Sequence, residues 1–117
     1  MEDKLKDLAY FTGSEHWYCH PLFRHFCYTD GVQYVAEHGG AYWLIEKIFA
    51  LQYMPELKAA PFQCWTLKVR ADQSAILSCS DGNNGHLYRE RLIYTDFPRK
   101  EFKLYFCDRT LLLPSEY

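Results

Sequence analysis

The stretch Cys64-Trp-Thr-Leu-Lys-Val-Arg-Ala71 decides the class of fold, because its apolar and polar residues alternate one by one. In an extended chain Trp65, Leu67 and Val69 lie on one side and the polar residues between them lie on the other. This alternation is typical of a β-strand with one buried face and one wet face. We therefore expect a sheet in the second half of the chain, with another layer covering its apolar side.

Further strands are predicted after this first one, which begins at Phe62. The turn signal Asp81-Gly-Asn-Asn-Gly85 separates two of them. Short links between successive strands are typical of antiparallel pairing, so the pattern predicts a meander of four to five strands. The later strands cover Ser74 to Cys79, His86 to Thr95, Phe102 to Cys107 and Leu111 to Leu113.

The first half of the chain shows helical spacing instead. A short helix is predicted over residues 2–10, and a long one begins after the capping residues Thr29-Asp30 and ends before Pro55. The apolar stripe of the long helix changes face at Gly39-Gly40, so the helix either breaks there or continues against a closely packed neighbour. No loop-forming polar cluster accompanies the two glycines, which favours one long helix over about residues 30–53.

These elements predict an α+β fold, with N-terminal helices packed on a C-terminal antiparallel β-meander of four to five strands. The 117 residues are the length of one ordinary domain, so we expect a single domain over residues 1–117.

Charge and cysteine content bear on location and partners. Thirteen basic and fifteen acidic side chains give a formal net charge of −2, so the chain lacks the overall positive charge that favours phosphate backbones. It has no secretory signal pattern and nothing near the ~20 apolar residues of a membrane span. We therefore expect a cytoplasmic protein that does not enter a membrane. The five cysteines, without a Cys-x-x-Cys pair, are expected to be reduced thiols, mostly in the core.

Five segments distributed along nearly the whole chain resemble one family. They are Phe11-Thr-Gly, Tyr28-Thr-Asp-Gly-Val-Gln-Tyr34, Gly40-Ala-Tyr-Trp-Leu44, Tyr94-Thr-Asp-Phe97 and Leu111-Leu-Leu-Pro-Ser-Glu-Tyr117. They are similar to segments of small single-domain bacterial proteins whose function is unknown. The resemblance implies a compact stand-alone domain, and it implies no activity, cofactor or catalytic residue. The family pattern has no paired cysteines at positions 19 and 27, which argues against a shared metal site.

The segment from His16 to Cys27 holds three histidines and two cysteines, which are the side chains that bind zinc. A metal site would use His16, Cys19, His20, His25 and Cys27. Pro21 interrupts helical spacing here, and no second pair of ligands follows downstream. A thiol enzyme with Cys27 as nucleophile and His25 or His20 as base is another interpretation. The simpler interpretation is that the cysteines lie in the core and the histidines are exposed. We expect no cofactor.

Aromatic residues make up 18% of the chain, which is more than a small core easily holds. Tyr and Trp often anchor protein interfaces, because they combine a large rigid area with a polar tip. On the long helix, Trp43 and Tyr53 fall on the face that carries Glu46 and Lys47, with Tyr42 beside them. This face is predicted to bind a partner protein. The alternative is that these rings seal the helix against the N-terminal half.

A basic stretch from Arg89 to Arg109 is the remaining candidate surface. Arg89, Arg91, Lys100 and Lys103 lie in it, but acidic residues are interleaved among the cations. A solvated strand face is therefore expected before a nucleic-acid interface.

The leading hypothesis is a non-enzymatic protein-binding module, acting alone or as a homodimer. A bacterial or phage accessory protein that inhibits a host defence complex is one such role, by analogy. The alternatives are a small metal- or thiol-dependent enzyme using the His16 to Cys27 segment and, ranked below it, nucleic-acid binding through the Arg89 to Lys103 face.

Overall fold

The alternating pattern that begins at Phe62 forms strands, as the sequence predicts, and further strands precede the helices. The structure, a computed structural model, describes residues 4–13, 16–83 and 85–117. Short 3₁₀ turns lie at Leu8–Tyr10 and Pro114–Glu116. In chain order the other elements are β1 (Trp17–Cys19), β2 (Cys27–Thr29), α1 (Asp30–Gly39), α2 (Tyr42–Leu51), α3 (Pro55–Lys58), β3 (Phe62–Val69), β4 (Ala75–Ser80), β5 (His86–Leu92), β6 (Glu101–Cys107) and β7 (Thr110–Leu112).

All seven strands belong to one mixed sheet with the order β1-β2-β7-β6-β3-β4-β5. The predicted arrangement, N-terminal helices packed on a C-terminal antiparallel meander, is therefore wrong. Strand β6 does not follow β5 in the sheet but returns to pair with β3, and β2 pairs in parallel with β7. Two strands precede the helices, and the helices lie between β2 and β3. Local patterns cannot foresee these pairings, because each one joins segments far apart in the chain.

The predicted helix over about residues 30–53 is also wrong, because it is two helices. Gly40 ends α1 in the left-handed conformation, with φ 64° and ψ 40°, and its N–H donates to the Ala36 carbonyl. This is the usual way in which a glycine terminates a helix. The change of apolar face at Gly39 therefore marks a change of direction. The predicted N-terminal cap is confirmed, since the Thr29 hydroxyl accepts the Val32 N–H at 3.3 Å.

Helix α2 covers the apolar face of the central strands. Leu44 and Ile48 face Trp65, Leu67 and Leu77 there, together with residues of β6. All five side chains are buried. Burying one such aliphatic side chain stabilises a fold by roughly 1.5–3 kcal/mol relative to leaving it exposed. The contact between α2 and the sheet is thus a main source of stability.

A buried amide network fixes α2 and α3 to β3. The side chains of Gln52 and Gln63 exchange two hydrogen bonds of 2.7 Å. The Gln63 amide also donates to the Leu57 carbonyl at 2.9 Å, and its oxygen accepts the Trp65 indole N–H at 2.9 Å. Because unpaired buried amides are costly, the network favours one relative position of these elements.

The helices of the described residues are short. None of them combines the length and the apolar character that crossing a membrane requires.

Alanine substitution at the two adjacent glycines is expected to change stability in opposite directions. Gly40→Ala places a side chain at φ 64° and should destabilise the fold by roughly 1 kcal/mol. Gly39 lies in α1, and a Cβ there meets its nearest atoms at an ordinary 3.5 Å. Gly39→Ala should therefore stabilise the fold, by up to about 1 kcal/mol. Urea denaturation of both variants measures the two changes, and equal shifts would contradict the helix break.

Candidate functional site

Strand β1 forms one edge of the sheet and is exposed along its whole length. It pairs antiparallel with β2, with Tyr18 opposite Tyr28. Trp17 exposes 56% of its surface and Tyr18 exposes 37%. Proteins usually protect such edges, because an uncovered strand invites pairing with another chain. Large aromatic side chains on an open edge make β1 the candidate functional site.

The backbone of β1 has hydrogen-bonding groups directed away from the sheet. The His20 N–H donates to the Phe26 carbonyl at 3.4 Å, which marks these two residues as a hydrogen-bonded pair. Bonded and non-bonded pairs alternate along antiparallel strands. Tyr18 therefore bonds to β2, whereas Trp17 and Cys19 direct their N–H and C=O groups to the open side.

A layer of tyrosines supports the edge on the helix side. The Tyr18 ring stacks on Tyr28 with centroids 5.6 Å apart, and Tyr28 lies 6.5 Å from the buried ring of Phe49. Burial raises the pKa of Tyr28, and the nearby Tyr18 adds to the rise. The Tyr42 hydroxyl donates to Glu37 at 2.9 Å. These contacts hold the rings in place, so the aromatic layer exists before any partner arrives.

The opposite edge of the sheet, β5, is of a different kind. Its residues include Arg89, Glu90 and Arg91, and Glu90 forms an ion pair of 2.9 Å with Lys47 of α2. Charged side chains on an edge strand oppose further pairing. The sheet therefore has one protected edge and one open edge.

The last residues of the chain anchor β2, and so β1. Glu116 Oε1 accepts the hydroxyl of Thr29 at 2.6 Å and the N–H of Leu113 at 2.9 Å. Its other oxygen accepts the N–H of Gly31 at 3.2 Å. A Cβ on Gly31 would lie 2.6 Å from the carboxylate, so glycine permits this close approach. We call this contact between Glu116 and the start of α1 the C-terminal clasp.

The structure separates the five residues predicted to form one partner-binding surface. Trp43 and Lys47 lie beside the end of β5 and line a depression of about 300 Å³. Tyr42 lies near the tyrosine layer, and its exposed fraction is 39%. Glu46 is exposed on α2. Tyr53 follows α2 and lines a different cavity of about 600 Å³. Only Tyr42 contributes to the candidate site.

The five predicted metal ligands do not gather at one point. The thiols of Cys19 and Cys27 face each other at 3.0 Å. His20 Nδ1 accepts a backbone N–H of its own loop, His25 lines the cavity of about 600 Å³, and His16 is exposed before β1. Within the described residues, no group of three His, Cys, Asp or Glu side chains is placed to hold a metal. For the thiol-enzyme hypothesis, Cys27 is hydrogen-bonded to a thiol and not to a histidine.

Three of the four predicted nucleic-acid contacts share a sheet face. The strand register places Arg89, Arg91 and Lys103 on the face opposite α2. Lys100 lies in the loop before β6. Sequence reasoning missed Lys68, which belongs to the same face as the first three.

Trp17 and Tyr18 were also missed as site residues, because the histidines and cysteines around them suggested chemistry. A cue was present in the sequence. The runs Trp-Tyr-Cys and Cys-Tyr-Thr lie on either side of Pro21, and two β-formers around a turn residue are typical of a hairpin.

Comparisons with known proteins give one match. A model described as a family of unknown function, DUF6876, matches residues 2–117. No curated protein and no solved structure matches the chain.

Removing the charge of the C-terminal clasp is expected to destabilise the fold. Glu116→Gln puts an amide N–H₂ near the N–H groups of α1 and removes a favourable anion from a helix N-terminus. We expect a loss of about 1–3 kcal/mol in urea denaturation. Glu46→Gln, at an exposed position, serves as the control and should change stability by less than about 0.5 kcal/mol. Equal effects of the two variants would contradict the clasp.

Proposed function

Since the chain belongs to DUF6876, a family of unknown function, we propose from its surface that it is a non-enzymatic protein-binding module. Its partner supplies an extended segment that pairs with the open edge of β1. The observation that carries the proposal is the exposure of β1 throughout its length, with Trp17 and Tyr18 on it.

The hydrogen-bonding groups of β1 support strand addition. Trp17 and Cys19 direct their N–H and C=O groups to the open side, as the pairing with β2 requires. A partner strand obtains affinity from such backbone bonds and specificity from the alternate side chains. Trp17 and Tyr18 lie on opposite faces of the strand and offer one large apolar contact each. The partner segment is therefore expected to be extended and apolar.

The short length of β1 limits the strength of binding. Three residues give few backbone hydrogen bonds, so most of the affinity must come from the two aromatic side chains. Small interfaces of this kind are typical of transient complexes. We therefore expect a transient complex with the partner and not a permanent one.

The identity of the partner stays a prediction. Inhibition of a host defence complex by a bacterial or phage accessory protein, in the cytoplasm, is the narrower form of the proposal. A homodimer through β1 is the competing occupant of the same edge, because an antiparallel pair of identical strands is symmetric.

A pull-down from a lysate of the native host tests the site with matched variants. Trp17→Ala should reduce recovery of bound proteins roughly tenfold or more, because it removes an aromatic side chain that the partner would bury. Cys19→Pro removes an outward N–H that the sheet does not use and should act likewise. Cys19→Ser keeps that N–H, and Tyr53→Ala removes an equally exposed ring elsewhere. Both should bind as the wild type does.

Equal recovery by all four variants would remove β1 as the binding site. If binding is lost with Tyr53→Ala or Trp43→Ala alone, the binding site is instead the surface predicted from the sequence.

Light scattering of the purified protein distinguishes a homodimer through β1 from binding of a foreign partner. A dimer that Cys19→Pro dissociates would replace the foreign partner with a second copy of the chain.

A specific observation favours a second candidate function, binding of single-stranded nucleic acid. Among the described strand residues, Lys68, Arg89, Arg91 and Lys103 share the open face of the sheet with one carboxylate side chain, that of Glu101. Four cations against one anion give these five strand side chains a charge of about +3 by their ordinary ionisation, whereas the chain carries −2. A basic face of this kind attracts a phosphate backbone.

Fluorescence anisotropy with a labelled poly-dT oligonucleotide tests the second candidate. If the face binds it, Arg89→Glu should weaken binding roughly tenfold, and raising the salt should weaken the wild type further. Lys58→Glu makes the same charge change on α3, away from this face, and should have little effect. No measurable binding by the wild type at low salt, or equal effects of the two variants, would dismiss the candidate.

A further inference from the structure

Cys19 and Cys27 lie directly opposite each other on β1 and β2. Because Tyr18 is in a hydrogen-bonded pair with β2, the neighbouring pair of cysteines is non-hydrogen-bonded. Side chains approach each other most closely at such positions, where Cα atoms are typically about 4.5 Å apart. That separation is inside the range of about 4.4–6.8 Å found for disulfides. The strands thus place the two residues correctly for a covalent bond.

The two sulfur atoms are already 3.0 Å apart. A disulfide bond is about 2.05 Å long, so its formation needs only a small movement of the side chains. The other three cysteines differ from this pair. Cys79 is buried and its thiol contacts the Ser80 carbonyl, whereas Cys64 and Cys107 are half-buried. Among the described residues, a thiol-to-thiol contact at hydrogen-bonding distance is found between Cys19 and Cys27.

The surroundings give the two thiols different roles. Cys19 is exposed and meets a dissolved oxidant first. Its hydrogen bond to Cys27, together with burial, raises the pKa of Cys27 to about 11. Cys27 is less exposed than Cys19, so it reacts second, with the sulfur beside it. An exposed attacking thiol with a resolving thiol next to it is typical of reversible redox sites.

We propose that Cys19 and Cys27 are a redox modification site that forms a reversible disulfide with low-molecular-weight disulfides such as oxidised glutathione. The Cys19 thiolate attacks one sulfur of oxidised glutathione, the bond between the two glutathione sulfurs breaks, and one glutathione thiolate leaves. Cys27 then loses its proton to water and attacks the Cys19 sulfur, which expels the second glutathione. The two cysteines lose two electrons and two protons, and two glutathione thiols carry these away.

The disulfide would fasten the open edge of the sheet. It closes the segment 19–27 and joins β1 covalently to β2, which the sheet holds through β7. Among the described strands, β1 pairs with β2 alone, so this pairing is more easily lost in local opening than the pairings of the central strands. Oxidation therefore sets how firmly Trp17 and Tyr18 are held in place. This property belongs to the strand itself and does not depend on a partner.

Incubation of the purified full chain with oxidised glutathione, followed by mass spectrometry, tests the site. The wild type should lose the mass of two hydrogen atoms, its free thiols should fall from five to three, and digestion should recover peptides of Cys19 and Cys27 joined to each other. Cys27→Ser lacks the resolving thiol, so it should retain one glutathione on Cys19. Cys64→Ser, changed elsewhere in the sheet, should behave as the wild type does.

Hydrogen exchange gives a second readout. The Tyr18 amide, bonded to β2, should exchange roughly tenfold or more slowly in the oxidised protein than after reduction with dithiothreitol. The proposal is overturned if the wild type keeps a glutathione on Cys19, if the bond joins another pair of cysteines, or if Cys19 of Cys27→Ser does not react. A disulfide that leaves exchange at Tyr18 unchanged would refute the fastening of β1.

Discussion

Strands β1 and β2 depend on the contact that the carboxylate of Glu116 makes with Thr29 and Gly31. Strands β2 and β7 run parallel, so their C-terminal ends lie side by side. Thr29 and Gly31 begin α1 at that point, and the 3₁₀ turn Pro114–Glu116 follows β7. A helix N-terminus attracts an anion, because its first N–H groups have no partner in the helix. Glu116 supplies that anion from the other end of the chain.

The clasp has a consequence for the edge of the sheet. Within the sheet, strand β1 pairs with β2, and β2 is held by β7 and by the contact at Thr29. The aromatic edge therefore rests on elements that come from both ends of the chain. The charged edge at β5 rests on local hairpins and on the ion pair between Lys47 and Glu90. This difference in construction makes β1 the edge on which the proposed partner and the proposed bond between Cys19 and Cys27 would act.

The two faces of the sheet also have separate roles. One face packs against α2, and the amide network of Gln52 and Gln63 fixes the helices over it. The other face carries cations and small polar side chains in its cross-strand rows, together with Ile76 and the rings of Phe62 and Tyr105. The stability of the domain thus comes from one side, which leaves the other side and the edge available for contacts. Two candidate functions follow from this division, and they use different residues.

The sequence alone determined the strands from Phe62 onward and the cap at Thr29, whereas Pro55, expected to end the helical region, instead begins α3. In both correct cases the signal is local, because side-chain alternation and a capping oxygen act on neighbouring residues. The structure alone decided that β6 pairs with β3, that β2 pairs in parallel with β7, and that Gly40 ends a helix. It also split the predicted surface of Trp43 and Tyr53 and exposed Trp17 instead. Pairing and exposure depend on which distant segments meet, and hydrophobic periodicity carries no information about that choice.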